Sequence, residues 1–197
     1  MRYALLGDIH SSKEDLEIVL ADIVNKAPDA VRMGTGDLFE CTISKKDITD
    51  HKYQKLEDVM ILPEGFTKLL KFESVKGNQE ERILLITETK DSLRDKISAM
   101  PDTYKIGHAE IIHGHQWKWG GDPWAPIHVE AEKPLVFYGH SHCSGLNVNG
   151  VPREIEFDIP YRVNGEKVLV NVGAVVGDRE WVLYDSFKDT VMFMKKD

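Results

Sequence analysis

The sequence predicts an α/β fold on the basis of three observations. A short apolar run from Tyr3 to Leu6 is typical of a buried strand, and a second such run covers Ala30 to Met33. Between them, apolar residues recur at helical spacing from Leu16 to Val24. Further along, strand-like segments flank Asn164-Gly165, a pair typical of a tight hairpin turn. We therefore expect a strand–helix–strand opening followed by a second, antiparallel sheet.

The first helix has recognisable ends in the sequence. Ser11 or Ser12 is placed to cap its start, and Glu14 or Asp15, three residues later, would complete a capping box. Pro28 cannot continue a helix and marks its end. We therefore expect the segment that leaves the first strand to run directly into a helix.

The remaining elements are predicted from the same patterns. Residues 49 to 70 are predicted as two helical pieces around Pro63-Glu64-Gly65, and residues 79 to 88 as a further helix. Further strands are predicted at five places, the last of which is a hairpin. These are His108 to Ile112, Leu135 to Tyr138, Arg153 to Val163, Glu166 to Val172, and Val182 to Tyr184 with Val191 to Met194.

The composition is that of one globular domain, and we take residues 1–197 as that domain. Hydrophobic residues make up 42% of the chain, enough for a sizeable core. A formal net charge of −8 disfavours a broad electrostatic grip on long nucleic acid or an anionic membrane. No segment has the length of a membrane span or the features of a signal peptide. Only Cys41 and Cys143 are present, which favours free thiols in the cytoplasm over a disulfide.

Five short polar motifs follow one another along the chain. The first three lie just beyond the strand-like segments Tyr3 to Leu6, Ala30 to Met33 and Phe72 to Lys76, at the carboxyl ends where open α/β sheets bind ligands. The last two follow the predicted strands that end at Ile112 and Tyr138. The motifs are Asp8-Ile9-His10, Gly36-Asp37, Gly77-Asn78, His113-Gly114-His115 and Gly139-His140-Ser141-His142.

These motifs supply oxygen and imidazole ligands for two metal ions. They contain two Asp, one Asn and several His, with no Cys among the apparent ligands, which disfavours a structural zinc or iron–sulfur site. Such a mixed shell suits Mn²⁺, our first expectation, or Fe²⁺, Zn²⁺, Ni²⁺ or Co²⁺, better than Mg²⁺ alone. Two divalent ions about 3.5–4 Å apart can clamp the attacking and leaving oxygens of a displacement at phosphorus. Hydrolysis of a phosphate ester is the reaction that fits this set. Taken alone, each motif is an ordinary loop or turn.

In this order, the motifs resemble those of the calcineurin-like metallophosphoesterase superfamily, and most closely its compact bacterial and archaeal phosphodiesterase-like branch. The resemblance spans Arg2 to about Arg179 and implies a four-layer αββα sandwich of two mixed β-sheets flanked by helices. It also implies two sets of metal ligands that share one carboxylate. The first set is Asp8, His10, Asp37 and His142, and the second is Asp37, Asn78, His113 and His140.

One departure from the family pattern bears on the reaction. Many members have a His after the Gly-Asn motif that protonates the leaving oxygen, whereas this chain has Gln79, whose amide cannot donate a proton reversibly. General acid catalysis typically contributes about 10²–10⁴-fold. His115 is the candidate to replace that acid, and a role in orienting its neighbours is equally open.

These observations predict a metal-dependent phosphodiesterase. A hydroxide bound to both ions would attack the phosphorus of a small phosphodiester or a nucleotide-like substrate, and Asn78 would stabilise the charge on the non-bridging oxygens. Two alternatives stay open: a phosphomonoesterase that uses His115 as general acid, and a metal-binding scaffold of the same fold without catalysis. Oligomeric state does not follow from the sequence.

A tryptophan-rich segment follows the His113 motif. It runs from Trp117 to Trp124 and contains Trp119 and Lys118. A base or aromatic leaving group could stack there. The interpretation we favour at this point is that the tryptophans pin a long loop onto the sheet edge.

Overall fold

The computed structural model describes residues 1–121, 124–164 and 166–196. Within these ranges it contains three α-helices and sixteen strands, several of them only two or three residues long. The helices are α1 (Lys13–Lys26), α2 (Asn78–Ile86) and α3 (Ser92–Ala99). The strands are β1 (Arg2–Leu6), β2 (Val31–Gly34), β3 (Glu40–Cys41), β4 (Met60–Ile61), β5 (Glu73–Ser74), β6 (Thr103–Ile106), β7 (Ala109–Ile112), β8 (Lys118–Gly120), β9 (Ala125–His128), β10 (Leu135–Tyr138), β11 (Gly145–Val148), β12 (Val151–Arg153), β13 (Pro160–Arg162), β14 (Val168–Asn171), β15 (Glu180–Asp185) and β16 (Thr190–Lys195).

Two six-stranded mixed sheets form the framework. The first has the order β13-β16-β15-β1-β2-β5, with β1, β2 and β5 parallel, β15 antiparallel to β1, and β16 antiparallel to β15. The second has the order β12-β11-β14-β10-β7-β6, with β7, β10 and β14 parallel at its centre. The predicted α/β sandwich of two mixed sheets is confirmed, as is the final hairpin. The expectation that the second sheet is antiparallel is wrong, because its three central strands are parallel.

One of the large apolar clusters of the core lies between the two sheets. The alternation along β10 shows how the sequence builds it, because successive side chains of a strand point to opposite faces. Leu135 and Phe137 belong to the cluster between the sheets, whereas Val136 and Tyr138 belong to a smaller cluster on the outer face. Because all four residues are buried, β10 is covered on both faces.

The outer layers differ between the two sheets. The outer face of the first sheet is covered by α1, whose Leu16 and Ile23 share a cluster with Trp181 of β15, and Ile83 of α2 and Ile97 of α3 belong to the same cluster. On the outer face of the second sheet, Trp117 and Trp119 at the β8–β9 hairpin take the place of a helix among the described residues. The two indoles pack against apolar residues of that face, including Val136 and Tyr138.

The predicted helices between residues 49 and 70 are wrong. This region contains the strand β4 and the short 3₁₀-helices Leu56–Asp58 and Phe66–Lys68. Met60 pairs with Cys41 of β3, and Gly65 adopts a left-handed conformation with φ of 75°. The apolar spacing therefore reflects contacts with the core made by an irregular chain, and α3, which the sequence analysis did not predict, follows later from the Asp91 cap.

The predicted hairpin at Asn164-Gly165 is also wrong, although Gly165 itself lies outside the described residues. The strand before the turn, β13, pairs with β16 in the first sheet. The strand after it, β14, pairs with β10 and β11 in the second sheet. Because β14 pairs with β10 along one edge and with β11 along the other, neither edge is left for β13.

The cap of α1 differs from the predicted capping box. Ser12 is the residue before the helix, but its hydroxyl donates to Asp15 Oδ2 at 2.7 Å and makes no bond to the helix backbone. Asp15 also accepts from the backbone N–H of Gly177 and from Arg179. The start of α1 is thus tied to the segment before β15. No α-helix among the described residues is long and apolar enough to span a bilayer.

Candidate metal centre

All five polar motifs meet at one edge of the sandwich. Asp8, Asp37 and Asn78 follow β1, β2 and β5, which are parallel neighbours in the first sheet. His113 and His140 follow β7 and β10, which are parallel neighbours in the second sheet. Because the carboxyl ends of parallel strands lie at the same sheet edge, the fold brings these side chains together from segments far apart in sequence.

One group of possible ligands consists of Asp8, His10 and His142. The Nε2 atoms of the two imidazoles lie 3.1 Å apart, and Asp8 Oδ1 lies 3.5 Å from His142 Nε2 and 3.9 Å from His10 Nε2. Ligand atoms bound at about 2.0–2.2 Å to one ion lie roughly 3.0–3.5 Å from each other. Asp8 Oδ1 is buried and has no hydrogen-bond partner among the described residues. The three atoms therefore fit a shared divalent cation.

A second group consists of Asp37, His113 and His140. Asp37 Oδ2 lies 3.3 Å from His113 Nε2. One end of the Asn78 amide lies 2.9 Å from His140 Nδ1, 3.1 Å from His113 Nε2 and 3.3 Å from Asp37 Oδ2. An NH₂ group there donates to these atoms, whereas an oxygen there joins them as a fourth acceptor. The oxygen-inward orientation is the one that a cation requires.

Asp37 connects the two groups. Its Oδ2 atom lies 3.3 Å from His113 Nε2 in one group and 3.8 Å from His10 Nε2 in the other. Its second oxygen, Oδ1, accepts a hydrogen bond from the backbone N–H of Gln79 at 2.8 Å. One carboxylate is thereby held with one oxygen facing both groups.

The imidazole tautomers suit this arrangement. His113 Nδ1 lies 2.9 Å from the carbonyl oxygen of Thr35, which can only accept, so Nδ1 carries a proton and Nε2 faces Asp37. His10 Nδ1 contacts Glu40 Oε2 in the same way. A metal-binding His usually donates its other ring N–H to a carbonyl or carboxylate. Glu40 is thus a functional candidate that the sequence analysis missed.

The backbone of the site adopts an uncommon conformation. Five of the seven predicted ligands have positive φ, a region that non-glycine residues seldom occupy. Such conformations cost about 1–3 kcal/mol each and persist only where the surroundings impose them. Here the loops after β1 and β2 bind one another, through the N–H of Asp8 to Gly36 and the N–H of His10 to Asp37. The five residues are Asp8, His10, Asp37, His140 and His142.

Two glycines of the motifs allow close approach of the ligands. A Cβ atom on Gly77 would lie 2.1 Å from Asp37 Oδ1, and one on Gly139 would lie 2.3 Å from Asp8 Oδ2. No side chain fits at either position without displacing a carboxylate. The glycine in each motif is therefore required by the packing of the site itself.

Glu80 is a second residue that the sequence analysis missed. Its carboxylate is fully buried and accepts three backbone hydrogen bonds, from the N–H groups of Asp37, Phe39 and Gly77. Burial and the nearby charge of Asp37 raise the pKa of Glu80 to about 7. Its contacts hold the loop after β2 against the start of α2. The only signal in the sequence is its position three residues after Gly77.

The carboxylates of the site attract positive charge. Burial opposes the charged form of His10, but hydrogen bonds to Asp8 and Glu40 and the charge of Asp37 outweigh it and raise the pKa of His10 to about 10. Burial likewise opposes the charged form of His113, but Asp37 raises the pKa of His113 to about 9. Burial, together with the charge of His113, lowers the pKa of His140 to about 4.

Gln79 and His115 occupy different environments. Gln79 is buried, and its side-chain oxygen accepts a hydrogen bond from the backbone N–H of Cys41, so it supports the loop and does not face the ligands. The His115 ring lies 5.2 Å from that of His113 and 6.2 Å from that of His140. Its Nε2 pairs with Glu81 at 2.9 Å, and its buried Nδ1 has no hydrogen-bond partner among the described residues.

The tryptophans have separate environments. Trp117 is buried, and its indole N–H donates to the carbonyl of Glu130 at 3.1 Å, as expected of a residue that pins the loop. Trp119 donates to the carbonyl of Gly114 at 2.7 Å. Trp124 stacks on Trp119 with ring centroids 4.4 Å apart and is 51% exposed. The predicted loop-pinning role therefore describes Trp117 but leaves the exposure of Trp124 unexplained.

Comparison with solved structures identifies the fold. No protein-family model matches the sequence, and no curated protein matches it. Among solved structures, a metallophosphoesterase from Sphaerobacter thermophilus is 16% identical, with 100% of this chain and 89% of that chain covered and a TM-score of 0.66. A structure described as a putative diadenosine tetraphosphatase is 14% identical, with 100% and 94% covered and a TM-score of 0.54. The expected resemblance is confirmed as a likeness of fold.

Proposed function

For a chain with the metallophosphoesterase fold, we propose the function of a metal-dependent phosphoesterase that hydrolyses small phosphodiesters. The observation that carries the proposal is the position of Asp37, whose Oδ2 lies within 4 Å of a histidine from each of the two ligand groups. A carboxylate so placed is suited to bridge two ions. A structural network would have no need of two such groups around one shared oxygen.

The residues present fit two divalent ions. One would be held by Asp8, His10, Asp37 and His142, and the other by Asp37, Asn78, His113 and His140. We propose Mn²⁺ as the native metal, with Fe²⁺, Zn²⁺, Ni²⁺ and Co²⁺ as candidates for the same mixed oxygen and nitrogen shell. When bound, two such ions lower the pKa of a coordinated water and polarise the phosphoryl oxygens.

The protein groups prepare the site for this chemistry. Glu40 and the Thr35 carbonyl hold the two imidazoles so that their Nε2 atoms face inward. Asn78 stands at the first turn of α2, where its amide lies beside His113 and His140. In the proposed reaction this amide would also contact a non-bridging phosphate oxygen as negative charge develops there.

His115 favours a second candidate function, phosphomonoester hydrolysis. Its Nδ1 atom is buried without a partner among the described residues, while Glu81 holds the opposite nitrogen. This geometry leaves one ring nitrogen of His115 without a hydrogen-bond partner beside the ligands, at a site where Gln79 is unable to act as an acid. A metal-binding scaffold without catalysis is the remaining alternative.

The proposal also concerns the class of substrate and the cellular compartment of the protein. One of the structures with this fold is described as a putative diadenosine tetraphosphatase, which favours a nucleotide-like substrate. The net charge of −8 favours small substrates over long nucleic acid. The two cysteines are unpaired, with Cys41 buried and Cys143 exposed, in keeping with our expectation of a cytoplasmic protein.

Hydrolysis of bis(p-nitrophenyl) phosphate and of p-nitrophenyl phosphate by the Mn²⁺-loaded protein tests these functions. We expect much faster hydrolysis of the diester than of the monoester by the native protein, and no diester hydrolysis by Asp37→Asn. The control Asp158→Asn, which alters an exposed carboxylate elsewhere, should keep the activity of the native protein. Preference for the monoester would establish the second candidate. No hydrolysis of either ester with any of the five metals would contradict both enzymatic functions and support the scaffold.

The role of His115 needs its own comparison. General acid catalysis contributes most when the leaving alkoxide is basic, typically about 10²–10⁴-fold. We therefore expect His115→Gln to slow hydrolysis of a methyl or phenyl ester more than that of a p-nitrophenyl ester. The matched control is His128→Gln, which alters a histidine that is 71% exposed. An equal loss with all esters would assign His115 to positioning alone.

A further inference from the structure

Trp124 is a large aromatic residue that is exposed to solvent beside the candidate metal centre. Its side chain is 51% exposed, and one face of its indole is stacked on Trp119, with an interplanar angle of 29°. Single exposed apolar residues are common at protein surfaces. A stacked tryptophan pair is a larger apolar surface, and this pair lies beside the predicted metal ligands, where it could contact a bound substrate.

His140 joins this surface to the candidate metal centre. Its ring centroid lies 5.2 Å from that of Trp119 and 5.4 Å from that of Trp124. On its other side, the same ring lies 5.2 Å from His113. A phosphate held beside His140 and His113 would therefore have the tryptophan pair within reach of the group attached to one of its ester oxygens.

Trp119 is fixed in place by the site itself. Its indole N–H donates to the carbonyl of Gly114, the residue between His113 and His115. Its ring also packs at 6.1 Å from Tyr138, the last residue of β10. Since Trp119 is held by the loop that also carries a predicted ligand, little ordering of this side chain would be needed when a substrate binds.

We propose that Trp119 and Trp124 form a stacking surface for a nucleobase attached, through its sugar, to the phosphate at the metal centre. The inference rests on the proposed function and specifies its substrate class as nucleotide phosphodiesters. Stacking a base on an aromatic side chain is sequence-tolerant and needs no hydrogen-bond readout. A small nucleotide is also compatible with a protein of net charge −8, since it does not require a long basic track.

The test compares two substrates with the same leaving group. Thymidine 5′-(p-nitrophenyl phosphate) and methyl p-nitrophenyl phosphate both release p-nitrophenolate, but only the first carries a base. We expect Trp124→Ala to lower kcat/KM for the thymidine ester by about 5- to 100-fold relative to the methyl ester, the range that base stacking supports. Trp124→Phe should recover much of this loss because it retains an aromatic ring.

Phe187→Ala is the matched control. Phe187 is 89% exposed and lies in the β15–β16 turn, whose Ser186 binds the backbone of Met1 at the opposite end of β1 from Asp8. This variant should leave both esters unaffected. Equal losses with the two esters in Trp124→Ala, or no loss with either, would overturn the stacking proposal.

A binding measurement separates this inference from the proposed function. Calorimetric titration of the metal-free protein with adenosine 5′-monophosphate and with ribose 5-phosphate reports the contribution of the base to binding. Tighter binding of adenosine 5′-monophosphate by the native protein, lost in Trp124→Ala, supports the stacking surface even if no ester is hydrolysed. Equal binding of the two compounds by the native protein overturns it even if diesters are hydrolysed.

Discussion

The two ligand groups of the candidate centre differ in how deeply they lie. In the group of Asp37 and His113, the two side chains are 3% and 0% exposed, and their support comes from the buried Glu80 and from a backbone carbonyl. In the group of Asp8, His10 and His142, the Asp is buried but His142 is 43% exposed. The support of His10 comes from Glu40, which is 32% exposed.

This difference has a physical consequence for each group. A buried group is held by contacts that also hold the fold, so its ligands are rigid and costly to alter. A group at the rim is accessible to solvent and is supported by side chains that can be changed without disturbing the core. We therefore expect the Asp37 group to retain its ion more tightly, and the Asp8 group to exchange its ion more readily.

The largest effect is expected from Asp37→Asn, because Asp37 is the one residue that the proposed function assigns to both ions. Loss of a residue that merely orients a ligand typically costs about 10–100-fold in affinity or activity. We expect more than about 100-fold loss of diester hydrolysis, with fewer than two ions bound per chain as measured by metal analysis after gel filtration. Full activity with two bound ions would contradict the shared role.

Replacing one histidine in each group tests the comparison directly. His142→Ala should remove one ion and leave the thermal unfolding temperature nearly unchanged, because the His142 side chain is 43% exposed. His113→Ala should also cost about 2–4 kcal/mol of unfolding free energy, because it opens a buried space and leaves the Thr35 carbonyl without its donor. Equal losses of stability in the two variants would contradict the proposed difference.

The supporting carboxylates should separate stability from metal binding. In Glu80→Gln, an NH₂ group must face backbone N–H donors, so we expect a loss of about 2–3 kcal/mol in denaturant unfolding. Glu40→Gln should leave stability unchanged and weaken binding of one ion by about 10–100-fold in calorimetry. Glu88→Gln, at an exposed position after α2, is the control for both. A stable Glu80→Gln protein would refute the structural role of Glu80.

The smallest effect is expected at Asp15, outside both groups. Burial opposes its charged form, but the N–H of Gly177, Arg179 and Ser12 outweigh burial and lower the pKa of Asp15 below 3.8. Because the folded-state pKa is lowered, the stabilisation is present above about pH 4 and is lost as pH falls through the folded-state pKa. Asp15→Asn should cost about 1–2 kcal/mol at pH 7, less at pH 3.5. A pH-independent difference in urea unfolding would contradict this role.

Local sequence patterns predicted the structure correctly where an element is stabilised by residues of its own segment. β1, β10 and the final hairpin follow from short apolar runs, and α1 follows from the helical spacing of its apolar residues, because the buried residues of each element are near neighbours in the sequence. The positions of Asp8, Asp37 and Asn78 at strand ends follow from the same patterns. Local patterns failed at residues 49 to 70, where helical spacing of apolar residues belongs to an irregular chain.

The sequence by itself determined the α/β class and the five motifs at strand ends, because short-range periodicity and loop chemistry are properties of neighbouring residues. Only the tertiary structure decided that β13 and β14 belong to different sheets, and that Glu80 and Glu40 support the candidate ligands. It also decided that Trp124 lies against His140. The physical reason is the same in each case: sheet pairing, burial and side-chain contacts depend on residues brought together from distant parts of the chain, which no local pattern records.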